Sequence, residues 1–111
     1  MAEYLMAMTT VGNEDDARKV AKSMVERRIV ACVNVSGPVR SFYHWEGSLQ
    51  DDSEYLLFMK TRVDSFPALE AALDEIHPYD LPELIAIPIE RGSAAYLGWI
   101  NEQLQLGFKN G

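Results

Sequence analysis

The spacing of apolar positions changes several times along this chain, and each change marks an element. Tyr4-Leu5-Met6-Ala7-Met8 is a short apolar run closing at Thr9-Thr10, the pattern of a central strand. Beyond it the period lengthens. Ala17, Val20, Ala21, Met24 and Val25 recur at i, i+3, i+4, i+7 and i+8, which predicts one buried helical stripe. Asn13 stands where an N-cap side chain accepts from the free amides of the first turn. Glu14, Asp15 and Asp16 complement the positive end of that helix dipole, and Arg27 and Arg28 its negative end. Glu14 with Arg18 and Asp15 with Lys19 are spaced for i,i+4 pairs on the wet side.

A period of two then takes over. Ile29 to Trp45 is β-branched or aromatic at most positions and interrupted by Gly37-Pro38. Val39, Ser41, Tyr43 and Trp45 resume the alternation, so the interruption predicts a bend or bulge rather than an end. Glu46-Gly47-Ser48 turns the chain, and Leu49 to Arg62 returns as the partner strand. Asp64 or Ser65 is expected to cap a second helix with Pro67 in its first turn. Phe66, Leu69, Leu73 and Ile76 form its stripe, and Pro78 stops it. Leu84 to Glu90 reads as a strand that Pro88, lacking an amide donor, confines to a sheet edge. Ser93 opens a last helix with Leu97, Ile100 and Leu104 on one face, and residues 107–111 are expected to fray. The order β-α-β-β-α-β plus a terminal helix predicts an α+β, ferredoxin-like fold in one domain over residues 1–111, with both main helices on one face of an antiparallel sheet.

The hairpin is too long for its own body. At about 3.3 Å per residue the returning strand spans roughly 45 Å, whereas a globule of this size is about 35 Å across. The hairpin must curl or project, carrying Phe42, Tyr43, Trp45, Tyr55, Leu56 and Phe58, more apolar surface than a soluble monomer leaves wet. Pairing with another subunit would cover it and close the exposed edge.

Composition narrows the setting. The 111 residues carry a net charge of −7 with 48% apolar content, enough for a core and unfavourable for phosphate-backbone binding to nucleic acid. No run of about 18 apolar residues occurs to span a membrane. The start of the chain lacks the basic region of a secretory signal, so a cytoplasmic protein is expected. Cys32 is the single cysteine; set among valines, it reads as a small buried thiol.

Candidate chemistry concentrates in His77-Pro78-Tyr79-Asp80-Leu81-Pro82-Glu83. The two prolines make this loop stiff without making it helical, and a rigid loop feeding a core strand is a common way to hold side chains at a ligand site. His77 at a helix end suits carbonyl capping better than metal ligation, with a weak site using Asp80 or Glu83 as the alternative. Tyr43 and Trp45 suit a subunit interface or a ligand cleft lined by one. Lys60 breaks an apolar strand, so it emerges at an edge, pairs with Glu83 or Glu90, or serves an anionic ligand. Asp51, Asp52 and Glu54 lack the glycine-punctuated loop of an EF-hand and read as solvated charge, and His44 as exposed. No nucleophile elbow, zinc-protease motif, P-loop or dinucleotide glycine pattern occurs, so a binding protein is expected rather than an enzyme.

Ala31-Cys32-Val33-Asn34, Tyr43-His44-Trp45-Glu46-Gly47, Lys60-Thr61, the His77–Glu83 run and Tyr96-Leu97-Gly98-Trp99-Ile100 come in the order and spacing of the CutA family of divalent-cation tolerance proteins, which the chain resembles from about Tyr4 to Leu104. The resemblance implies a ferredoxin-like subunit, a tight homotrimer joined through its sheets, a likeness to PII-type signalling proteins, and a link to tolerance of copper and other divalent metals. Clefts between the subunits of such an assembly are expected to take a ligand, with Tyr43, Trp45, Lys60, Tyr79 and Glu83 as the candidate lining. Some copper-binding members carry a cysteine near the end of the first strand and two adjacent histidines before the Pro-Tyr. Here Thr9 and Ile76-His77 occupy those places, and Met6, Met8 and Cys32 are not spaced to replace the missing ligands. The expectation is therefore a homotrimeric binding or sensing module for a small anionic ligand or a divalent cation such as Cu²⁺, held weakly through His77. A trimeric scaffold for protein partners is the alternative, and a metal-assisted hydrolase a more distant one.

Overall fold

The computed structural model describes residues 3–104; the fraying expected at 107–111 lies outside them. The elements are β1 (Tyr4–Val11), α1 (Glu14–Glu26), β2 (Cys32–Val35), β3 (Val39–Trp45), β4 (Ser48–Arg62), α2 (Phe66–Ile76), β5 (Ile85–Ile89) and α3 (Ala94–Gln103). The sheet runs β2-β4-β1-β5, with β3 on β4 beyond that path. All pairs are antiparallel, which is the ferredoxin-like arrangement expected.

Five strands appear where the sequence predicts four, because Gly37-Pro38 divides the second. Val35 pairs with Leu57 and Val39 with Glu54, so three residues on one strand face two on the other. This is the one-residue bulge that the proline and glycine predict. The second strand also starts at Cys32 rather than Ile29. Arg28 adopts φ 58°, and the amides of Ile29 and Val30 turn back to the Met24 carbonyl, so the end of α1 consumes those residues.

Local chemistry explains the helices. The Asn13 side chain accepts from the Asp16 amide at 2.8 Å, and Arg18 bonds Glu14 at 3.1 Å. The Asp15–Lys19 pair does not form among the described residues. Val25, assigned to the buried stripe, sits at its margin and is exposed. A 3₁₀ turn over Val63–Ser65 leads into α2; neither expected cap bonds the helix, since Ser65 makes no capping hydrogen bond and Asp64 accepts from Arg62 instead. Ser93 does cap α3, accepting from the Tyr96 amide at 3.2 Å. Pro88 lies on β5, which pairs with β1 alone, at the edge its missing donor requires.

The main core is one face of the sheet against two helices. Ala7, Val11, Leu57 and Met59 meet Ala17, Val20 and Met24 of α1 and Leu69, Ala72 and Leu73 of α2. On the other face α3 sets Ile100 and Leu104 against Ala31 and Tyr4 and leaves Ile85 and Ile87 exposed. Cys32 also belongs to this second face. It pairs with Lys60 and is half-buried, its thiol donating to Asn34 Oδ1 at 3.8 Å; strand alternation takes it out of the main core.

The hairpin projects. The described chain measures 50 × 26 × 22 Å. Its radius of gyration is 14.8 Å, against about 13 Å for a compact domain of this length. β1 stops opposite Tyr55, so residues 48–54 of β4 have only β3 beside them. This two-stranded arm leaves Phe42 66% and Leu49 67% exposed.

Candidate functional site

Where the arm leaves the body, it faces the His77–Glu83 loop across a cleft of about 930 Å³. β3 contributes Ser41, Phe42, Tyr43, His44 and Trp45, and the loop contributes Tyr79, Leu81, Pro82 and Glu83, with Thr10 of β1 and Glu54 of β4 between them. Four of the five residues expected in a cleft therefore meet there: Tyr43, Trp45, Tyr79 and Glu83.

Lys60, the fifth, does not line it. β4 is flanked by β1 and β2 at that point, so Lys60 is on a central strand rather than an edge. Its ammonium donates to the Tyr96 hydroxyl at 3.4 Å and lies 5.5 Å from the centre of that ring, and it forms no ion pair with Glu83 or Glu90. The expectation of an anionic ligand rested on this lysine. Without it the cleft lining contains no Lys or Arg.

A hydrogen-bonded chain fixes the loop. The imidazole of His77 is 8% exposed, with Nε2 2.8 Å from the Thr10 carbonyl. A carbonyl only accepts, so Nε2 carries the proton and Nδ1 is free to accept from the Tyr79 amide at 3.1 Å. Burial holds this group below the usual imidazole range, against the opposing pull of the Thr10 bond. His77 is thus a neutral strut between β1 and the loop, not a cationic cap on its own helix, and neither nitrogen has a lone pair left for a metal. The Tyr79 ring lies edge-on to the imidazole, centroids 4.8 Å apart.

The chain continues into the carboxylates. The Tyr79 hydroxyl donates to Glu54 Oε2 at 2.8 Å, and desolvation followed by this bond raises the phenol well above its ordinary range. The Tyr43 hydroxyl donates to Asp52 at 2.6 Å, which pushes that phenol up to about 12. Glu83 is held above the usual carboxyl range by desolvation and by the charge of Glu54. Glu54 is the residue that sequence reasoning missed. Grouped with Asp51 and Asp52 as solvated charge, it is only 6% exposed. Its one available signal is its position beside the apolar run Tyr55-Leu56-Leu57-Phe58. His44, expected to be exposed, is so, yet it also contributes to the cleft wall.

No group of three or more His, Cys, Asp or Glu side chains is placed to hold an ion among the described residues. Thr9 is fully buried, and its hydroxyl has no hydrogen-bond partner there. No described helix is long and apolar enough to cross a membrane.

Comparison with known proteins follows the same lines. Residues 5–103 match the family model described as CutA1 divalent ion tolerance protein. The chain is 41% identical over 97 residues to the "Divalent-cation tolerance protein CutA" of Thermus thermophilus, covering 87% of this chain and 94% of that protein. It is 40% identical over 96 residues to "Protein CutA" of Mus musculus, covering 86% of this chain but spanning only 54% of the longer mammalian protein. Among solved structures, the "Periplasmic divalent cation tolerance protein CutA" of Archaeoglobus fulgidus superposes with a TM-score of 0.87 at 34% identity, covering 90% of this chain and 97% of that one. One relative being called periplasmic, membership by itself assigns no compartment. A matching family model over nearly the whole chain, close relatives and the shared ferredoxin-like architecture agree: this chain belongs to the CutA1 divalent ion tolerance family.

Proposed function

We propose that this chain is the subunit of a homotrimeric binding protein, and that the cleft between the arm and the His77–Glu83 loop is its ligand site. The observation that carries the reading is the arm itself. Residues 39–54 stand outside their own core with Phe42, Trp45 and Leu49 in water, and both edges of the arm lack a strand partner among the described residues. Such a surface is stable when neighbouring copies cover it. Ile85 and Ile87 on the open sheet face extend the apolar area available for burial. The cleft, lined partly by arm residues, then lies between subunits, where ligand sites commonly form.

In this reading, divalent-cation tolerance follows from what the cleft binds rather than from tight coordination of copper by His77, whose nitrogens both serve the fold. The same two bonds occupy the imidazole on which the metal-assisted hydrolase reading relied. Sedimentation equilibrium of the full chain tests the assembly: a mass three times the chain mass, persisting at micromolar dilution, is expected, and a monomer would overturn it. Calorimetric titration with Cu²⁺ tests the second point. The expected outcome is no tight one-per-subunit isotherm, and one abolished by His77→Ala would reverse the assignment.

A further inference from the structure

Glu54 and Glu83 line one cleft, and neither forms an ion pair with a Lys, Arg or His among the described residues. Glu54 is more than nine-tenths buried, and its hydrogen bond comes from the neutral hydroxyl of Tyr79. A buried carboxylate without a counter-charge is costly, and a second carboxylate beside it adds repulsion. Such a site gains from whatever brings positive charge. Four aromatic rings, Phe42, Tyr43, Trp45 and Tyr79, also line the cleft, beside Thr10, Ser41, His44, Leu81 and Pro82. Ring faces attract cations, and Trp attracts them best.

We propose that the cleft binds a small organic ammonium ion, a protonated or quaternary amine, with Glu54 and Glu83 as counter-charges and Trp45, Tyr43 and Tyr79 as the aromatic wall. This rests on the reading of the cleft as a ligand site and names its ligand class. Size separates an organic cation from a bare metal ion. A cleft of about 930 Å³ is in the range that holds small molecules, whereas a transition-metal ion needs several N, O or S donors converging on one point, and no such group is found among the described residues. Charge separates it from an anion, which would meet two carboxylates and no Lys or Arg in the lining. Protons compete for the same position. Glu83 is pushed up by desolvation and by Glu54, so binding weakens as the pH falls through the raised Glu83 titration.

The test uses the intact assembled protein, labelled with ¹⁵N, and follows the Trp45 indole resonance during titration with tetramethylammonium and butylammonium chloride. Sodium chloride at equal ionic strength, sodium acetate, phosphate and Cu²⁺ are run in parallel. The expected result is a saturable shift with the ammonium ions alone. Glu54→Gln, which keeps the acceptor for Tyr79, and Glu83→Gln should each weaken it about tenfold, as loss of a charge-assisted contact implies. Weakening on going from pH 8 to pH 5 completes the pattern. A saturable response to acetate, phosphate or Cu²⁺ with none to the ammonium ions sinks the ligand class and leaves the cleft as a site. Silence of Trp45 to every probe, with the assembly intact, sinks both. An equal response to sodium, or a lysine or arginine of a neighbouring copy found between the two carboxylates, also overturns the proposal.

Discussion

The hydroxyl of Tyr79 lies 2.8 Å from Glu54 Oε2, joining the proline-stiffened loop to the point where β4 passes from core into arm. On the loop side Tyr79 is held by His77, and His77 by β1. On the arm side Glu54 pairs with Val39 just past the Gly37-Pro38 bulge. One hydrogen bond therefore sets the distance between the two walls of the cleft. Tyr79→Phe removes it while keeping the ring. The expected cost is about 1–3 kcal/mol, the penalty of leaving a buried acceptor unsatisfied, read as a lower denaturant midpoint with unchanged slope at matched protomer concentration. A midpoint equal to that of the parent protein would mean that water replaces the phenol without loss.

His77 predicts a stability change in acid. Burial lowers its folded-state pKa, so the unfolded chain takes up the proton first as the pH falls from about 6.5, the ordinary imidazole value. The contribution of the neutral strut is complete above that value and is lost as the pH falls through the lowered folded pKa. His77→Gln, which offers one donor and one acceptor, should flatten this part of the stability profile. Denaturation midpoints between pH 7.5 and pH 5 check it, and parallel curves for the two proteins would show that His77 does not titrate in this window.

The elements were readable in the sequence because each rests on local chemistry. Asn13 caps α1, Pro78 ends α2, Pro88 marks the edge strand and Gly37-Pro38 makes the bulge. Four of the five expected cleft residues were readable as well, Tyr79 and Glu83 from a loop whose prolines announce rigidity and Tyr43 and Trp45 from their alternation along β3. Glu54 and Lys60 were not. Both lie on β4, and which face and which neighbours a strand residue meets depends on the register of the pairing strands. A charge next to an apolar run looks the same in sequence whether it is buried under a tyrosine, as Glu54 is, or set against the outer helix, as Lys60 is. Cys32 follows the same rule: its β-branched neighbours suggested the core, and the register placed it on the second face beside Lys60.

Glu83 predicts an opposite sign. Its folded pKa is raised, so the protonated form stabilises the fold, fully below the unfolded carboxyl value and progressively less as the pH rises through the raised one. Glu83→Gln imitates the protonated form permanently. The variant should be more stable than the parent at pH 7 and equal to it near pH 4, as thermal midpoints at the two values would show. A group kept in an unfavourable charge state at working pH is common where binding needs that charge. Equal midpoints at pH 7 would place Glu83 in solvent and free of Glu54.

Trp45 links the cleft to the assembly. It is the last residue of β3, 44% exposed in the single chain, and contributes to the cleft wall. An aromatic that becomes buried at the centre of an interface is worth about 2 kcal/mol or more on truncation. Because all three copies carry the change, Trp45→Ala should therefore shift subunit dissociation to higher protein concentration by at least roughly 30-fold, the ratio that corresponds to one such energy. Trp45 belongs neither to the main core nor to the side chains packed against it. Sedimentation across a dilution series measures the shift, and circular dichroism of the same samples checks that the subunit remains folded. An unchanged dissociation midpoint would remove Trp45 from the interface and leave it as a wall of the ligand cleft alone.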